Sequence, residues 1–283
     1  MNGITHFAAG ILCQLVVFAL MYRVVGPLQC GKSNGRSMLE RRPRAVKFAA
    51  YAVTAILAFF SHGFLDTMAR YTYHDSSAGK WDNPFYAPWT YGMLAAAAVF
   101  GLLAILRDPR LAWGMMFALL PDLVDYNVIR VIEVVVLENP AAVPFSLHAI
   151  GSWGPVFDAM DVAMFGSRVS LNQDPSASIF EIALIVAMVA GILAINKRWP
   201  MPAVPAGREA PASRRVLLFV MFVAWISNDV WVGLLGSAPG GPGPLASVIL
   251  SFAATGALLA ILLVLHVRDA ADKQSAGVPL DGG

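Results

Sequence analysis

The stretch VKFAAYAVTAILAFFSHGFLD (46–66) decides how the chain is read. It is an apolar run that closes on two ionisable groups, His62 and Asp66, four residues apart. A bilayer span needs roughly twenty predominantly apolar residues. A histidine and an aspartate at that spacing share one helix face, within reach of a common ion. The stretch therefore predicts a transmembrane helix with a polar site at one end.

The rest of the chain agrees with a membrane setting. Only 13% of its 283 residues are charged and 58% are hydrophobic, whereas a soluble domain carries about a quarter charged residues. The net charge of +2 comes from short basic blocks between apolar runs, a pattern that points away from nucleic acid. Two cysteines, Cys13 and Cys30, make no disulfide framework. The N-terminal run MNGITHFAAGILCQLVVFALMY lacks a basic n-region and a small-residue cleavage pattern, so it reads as a retained span.

Seven segments approach spanning length, at about 4–25, 46–66, 89–106, 111–129, 179–196, 216–237 and 245–267. The expected fold is an all-α polytopic bundle forming one domain over 1–267, followed by a disordered polar tail, 268–283. The 111–129 segment contains Pro121, which removes a helix hydrogen bond and predicts a kink. Lys and Arg crowd three loops: Arg23 to Lys47, RDPR at 107–110, and Lys197 to Arg215. Seven spans put all three on one side. The positive-inside rule makes that side and the C-terminus cytoplasmic, with the N-terminus outside. In the outer segment 130–178, PVFDAMDVAMFG reads as a short amphipathic helix on the membrane surface. The run PGGPGP (239–244) reads as a turn. Trp81, Phe85, Tyr86 and Trp89, after His74, read as headgroup anchors of a solvated loop. His266 falls at the cytoplasmic end of the last span and receives no role.

Depth then sorts the polar residues. His6 lies at the outer end of the first span, and His62 and Asp66 at the outer end of the second. At 1.5 Å per residue, Asp122 lies roughly 16 Å and Asp125 roughly 21 Å into the fourth, on one face. Asp229 lies roughly 20 Å into the sixth. Intramembrane ionisable groups normally face a bundle interior or a water-filled cavity. Imidazole with carboxylate suits zinc, manganese or iron, and a metal's charge offsets the cost of burying several acids.

The segments ITHFAAG, SHGFLD and LLPDLVDY resemble elements of the membrane-bound metal-dependent hydrolase family. The resemblance rests on Thr5 and His6, on His62, Leu65 and Asp66, and on Pro121, Asp122 and Asp125. It covers roughly the first half of the chain. The family's His-Arg-Gly…Thr-His-Ser element has no counterpart here, and the acidic element follows the His-x-x-Leu-Asp element instead of preceding it. The resemblance implies a divalent metal, with zinc the first choice, held by His6, His62, Asp66, Asp122 and Asp125. His148, in FSLHAIG, is a candidate to supply a further ligand. One carboxylate, Asp66 or Asp122, would act as general base rather than ligand, and the depth points to an ester or phosphodiester of a membrane lipid. Two other functions stay open: a proton-coupled transporter using Asp122, Asp125 and Asp229, and a non-catalytic scaffold.

Overall fold

The computed structural model describes residues 2–22, 44–75, 77, 79–129, 132–133, 137, 143–201, 230, 239–241, 243, 245–257, 260 and 264. No strand occurs among the described residues. The chain divides into two compact units, 1–125 with 144–202, and 126–143 with 203–283. Asn228, Asp229, His266, Cys30, the 216–237 segment apart from Val230, and the tail lie outside the described residues.

The first unit is built on four long apolar helices: α1 (Gly3–Leu20), α2 (Arg44–Met68), α3 (Tyr86–Arg107) and α8 (Ser178–Arg198). Each is long and apolar enough to cross a membrane. Between α3 and α8 come four shorter pieces, α4 (Ala112–Ala118), α5 (Leu120–Val124), α6 (Leu147–Ile150) and α7 (Gly154–Phe165). Most of α1 is buried, while no more than about a third of each other long helix is. α1 is therefore the central element, packed by α2, α3, α4 and α8.

Pairings along α1 give the helix directions. Val17 and Phe18 meet Ala50, and His6 meets Asp66, so α2 runs antiparallel. Thr5 meets Glu181, and Leu12 lies against Gly191, so α8 runs parallel. The start of α1, the end of α2 and the start of α8 consequently share one end of the unit. The outer faces of α2, α3 and α8 expose Phe48, Ile56, Leu103, Leu106, Ile179 and Val186. Apolar faces this extensive are what a bilayer covers and water does not.

The 111–129 segment is not one continuous helix. α4 stops at Ala118, Leu119 shares its N–H between the carbonyls of Met115 and Met116, and α5 starts afresh with Pro121 in its first turn. Proline has no N–H for the carbonyl four residues back, so the interruption falls where Pro121 would otherwise continue α4. The chain then takes a π-helical turn at Asp125–Ile129. α4 reaches α1 through glycine: a Cβ on Gly114 would stand 2.2 Å from the Gly10 carbonyl oxygen, so the two backbones touch only because neither residue has a side chain. The Gln14 amide crosses the same contact, donating to the Arg110 carbonyl at 2.8 Å and accepting from the Gly114 N–H at 2.9 Å.

The loop after α2 is an ordered aromatic cluster. Phe85 stacks on Trp89, Tyr73 meets the Phe85 ring edge-on, and Asn83 donates to the Tyr73 hydroxyl. The helix expected from PVFDAMDVAMFG is present as α7. Asp161 on α7 accepts from the Tyr71 hydroxyl and from Arg70, and Asp158 pairs with Arg70 and Arg168. In the second unit, Leu245–Ala257 is an apolar helix. The PGGPGP turn precedes it, with Gly240 at φ +72° and Gly243 at φ +81°, left-handed values that favour glycine.

Candidate metal centre

At the shared end of the first unit, side chains from four separate segments converge. α1 brings His6, α2 brings His62 and Asp66, α5 brings Asp122, and α6 brings His148. His6, His62 and Asp122 each offer a ligand atom within 4.8 Å of the others, and so do His62, Asp66 and His148.

His62 is fully buried and its protonation pattern follows from one contact. Its Nδ1 lies 2.6 Å from the Ala118 carbonyl, which can only accept, so Nδ1–H is the donor. That carbonyl is the last of α4, presented to α2 where the helix breaks. Nε2 faces the other way, 2.9 Å from Asp66 Oδ2 and 3.6 Å from Asp122 Oδ1. Among the described residues no acceptor is aligned with Nε2 for a hydrogen bond, and the atom is buried. In the neutral ring the Nε2 lone pair is set against two carboxylates, a repulsion that a metal ion between them, or a proton on Nε2, removes. An Nδ1–H held by a backbone carbonyl, with Nε2 turned inward, is the arrangement seen in metal-ligating histidines.

His6 repeats the theme. Its Nε2 is 3.2 Å from Asp66 Oδ1, its Nδ1 is buried without a hydrogen bond, and its ring stacks on His62 at 4.2 Å.

His148 enters from a different direction. Its Nε2 lies 3.0 Å from Asp122 Oδ1 and 3.5 Å from Asp66 Oδ2, while Nδ1 lies 2.6 Å from Asp125 Oδ2. Burial pulls this imidazole down, but the hydrogen bonds to Asp122 and Asp125 outweigh it and lift the pKa to about 9. The Asp125 carboxylate also accepts from the Ser146 hydroxyl and from the N–H groups of Leu147 and His148. It thus caps α6 and orients the His148 ring from behind, one residue removed from the inner cluster. α6 is held on α2 by a backbone contact, because a Cβ on Gly63 would lie 1.9 Å from the Gly151 oxygen. Thr67 completes the joint, donating to the Gly63 carbonyl and accepting from the Trp153 N–H.

The structure therefore gathers His6, His62, Asp66, Asp122 and His148 into one cluster and sets Asp125 behind His148. A cavity of about 300 Å³ adjoins it, lined in part by Asp66 and His148. His74, exposed in the loop after α2, lines the same cavity.

Two features have no counterpart in the reading of the sequence. Glu181, fully buried on α8, accepts from the Asn2 N–H, the Asn2 amide and the Thr5 hydroxyl, which ties down the start of α1 one residue before His6. Its signal was legible, since it is the one acid in the apolar run of α8. The Arg70–Asp158–Asp161 network had no signal, because its members are about ninety residues apart. No family model, curated protein or solved structure matches this chain.

Proposed function

We propose that the protein is a metal-dependent hydrolase embedded in a membrane, with His6, His62, Asp66, Asp122 and His148 holding a divalent ion, zinc by preference. The observation that carries this is His62, whose buried Nε2 faces two carboxylates without an aligned hydrogen bond. The partial resemblance to membrane-bound metal-dependent hydrolases points the same way. The chemistry such an ion supplies is Lewis acidity, which brings the pKa of water toward neutrality.

The chain's own residues divide the remaining work. Asp66 lines the cavity, so the carboxylate oxygen that does not hold the ion is placed to accept a proton from water entering there. Asp122 Oδ1 stands between the two rings, 3.0 Å from His148 Nε2 and 3.6 Å from His62 Nε2, at the centre of the cluster. Asp125 fixes the His148 ring by accepting from Nδ1.

In the membrane we assign seven spans, adding the interrupted 111–129 segment and the 216–237 and 245–267 segments to the four long helices. Arg44, Arg107, Lys197 and Arg198 stand at the helix ends opposite the cluster. The positive-inside rule then sets the cluster toward the outer face, with the N-terminus outside and the C-terminus cytoplasmic, in a bacterial-type inner membrane. At that depth the substrate is an ester or phosphodiester of a lipid.

Elemental analysis of the purified protein tests the reading. Wild type should carry about one divalent ion per chain, as single catalytic sites do, and His62→Ala and Asp122→Ala should lose it. Equal metal content in all three proteins would falsify the proposal. The break between α4 and α5 favours a second reading, a proton-coupled transporter built around Asp122, Asp125 and Asp229, because interrupted helices mark transporter binding sites. Proton-driven uptake into proteoliposomes, lost in Asp229→Asn, is the outcome that would select it.

A further inference from the structure

The cavity beside the cluster carries more information than its position. Besides Asp66 and His148, its lining includes Arg70, His74 and Asn172. Each of these three has donor capacity that no described residue uses. Arg70 spends Nε on the Thr67 carbonyl and Nη1 on Asp158 and Asp161, which leaves Nη2 without a partner among the described residues. Asn172 accepts from the Ser170 hydroxyl through Oδ1, which identifies its other amide atom as the NH₂ group and leaves both of its hydrogens unspent. His74 engages Asn172 through its backbone N–H alone, and its ring makes no hydrogen bond among the described residues.

We infer that Arg70, His74 and Asn172 form a receptor for the phosphoryl group of a phosphate ester, held next to the scissile bond at the metal cluster. The inference rests on the hydrolase reading and narrows its substrate class from esters in general to phosphate esters. A carboxylic ester offers one weakly basic carbonyl oxygen. A phosphoryl group offers two or three anionic oxygens, matching donors on the 3-10 turn that follows α2 (Ala69–Tyr71), the loop after it and the segment before α8. A guanidinium is the side chain best suited to such a group. Asp158 and Asp161 balance the Arg70 charge and hold the fork in place, so the Nη2 edge is oriented in advance. Among the described residues Asp66 is the one acid in the lining, and as a metal ligand its charge is offset.

The test uses full-length protein in detergent micelles, with metal content measured on every sample. Inorganic phosphate binding is followed by calorimetry for wild type, His74→Ala, Asn172→Ala and Arg70→Lys. The lysine keeps a cation for Asp158 and Asp161 and removes the second guanidinium nitrogen. Each substitution should weaken phosphate by roughly tenfold, the loss expected for one charge-assisted hydrogen bond, with metal content and melting temperature unchanged. Acetate should not compete. Phosphatidic acid binding more tightly than glycerol phosphate would assign the group to a lipid, and equal affinities to a soluble ester; both outcomes support a phosphoryl receptor. Metal-loaded wild type that ignores phosphate, or variants that bind it as wild type does, would overturn the inference and leave the hydrolase reading intact. Wild type without metal would overturn the hydrolase reading. Phosphate binding by that protein, lost in His74→Ala, would still support the receptor, and no binding would overturn it.

Discussion

At His62 the proton on Nδ1 is committed to the Ala118 carbonyl, so the ring presents Nε2 to Asp66 and Asp122. His148 is governed by a carboxylate instead of a carbonyl, and this makes its response to pH predictable. Its pKa in the ion-free protein is about 9, above the ordinary 6.5, after the bonds to Asp122 and Asp125 outweigh burial. A raised pKa means that the charged form stabilises the fold. That contribution is fully present below pH 6.5 and disappears as pH climbs through 9. A metal at Nε2 must displace the same proton. Between those limits, affinity should therefore rise by up to about tenfold per pH unit and level off above pH 9, as read by chelator competition. Asp125→Asn removes the charge behind the ring while keeping an acceptor for α6. Metal affinity should fall about 10–100-fold, the usual cost of losing an outer-shell partner, with full occupancy restored at high metal concentration.

The cluster is assembled by how helices touch. α4 lies on α1 at Gly114 and Gly10, and α6 lies on α2 at Gly151 and Gly63, so two glycine contacts set the spacing of the elements that carry the ligands. Gly63→Ala inserts a methyl group where the Gly151 carbonyl stands, and the segment bearing His148 has to move. Metal affinity should drop at least about tenfold, because coordination tolerates shifts of only about 0.2 Å, while circular dichroism keeps its helical signature. Gly92→Ala is the matched control: Gly92 lies within α3 with nothing within 4 Å of an added Cβ. That variant should keep its metal and gain up to about 1 kcal/mol from the better helix former. The interrupted 111–129 segment belongs to this scale too. There the last carbonyl of α4, that of Ala118, accepts the His62 Nδ1–H and sets its tautomer.

For the molecule as a whole, the distribution of charge gives the orientation its test. A phosphatase reporter active only outside the cytoplasm should work when inserted after residue 150 and fail at the C-terminus, and a fluorescent reporter that matures only inside should show the reverse. Opposite signals would invert the topology and place the cluster on the inner side. Much of this architecture was readable before any coordinates: 46–66, 89–106 and 179–196 lie within Arg44–Met68, Tyr86–Arg107 and Ser178–Arg198. Lipid exposure demands long uninterrupted apolar stretches, and a stretch of that kind is a local property of the chain. The pairing of His62 with Asp66 was equally legible, since helical periodicity alone puts residues four apart on one face. Other decisions belonged to packing: that Asp125 stands behind His148, that Glu181 anchors the start of α1, and that His74 lines the cavity. Each depends on which residue of a distant segment lies opposite, and glycine contacts and one broken helix set that register. Composition and periodicity carry no trace of such pairings, because the partners lie from 23 to 179 positions apart along the chain.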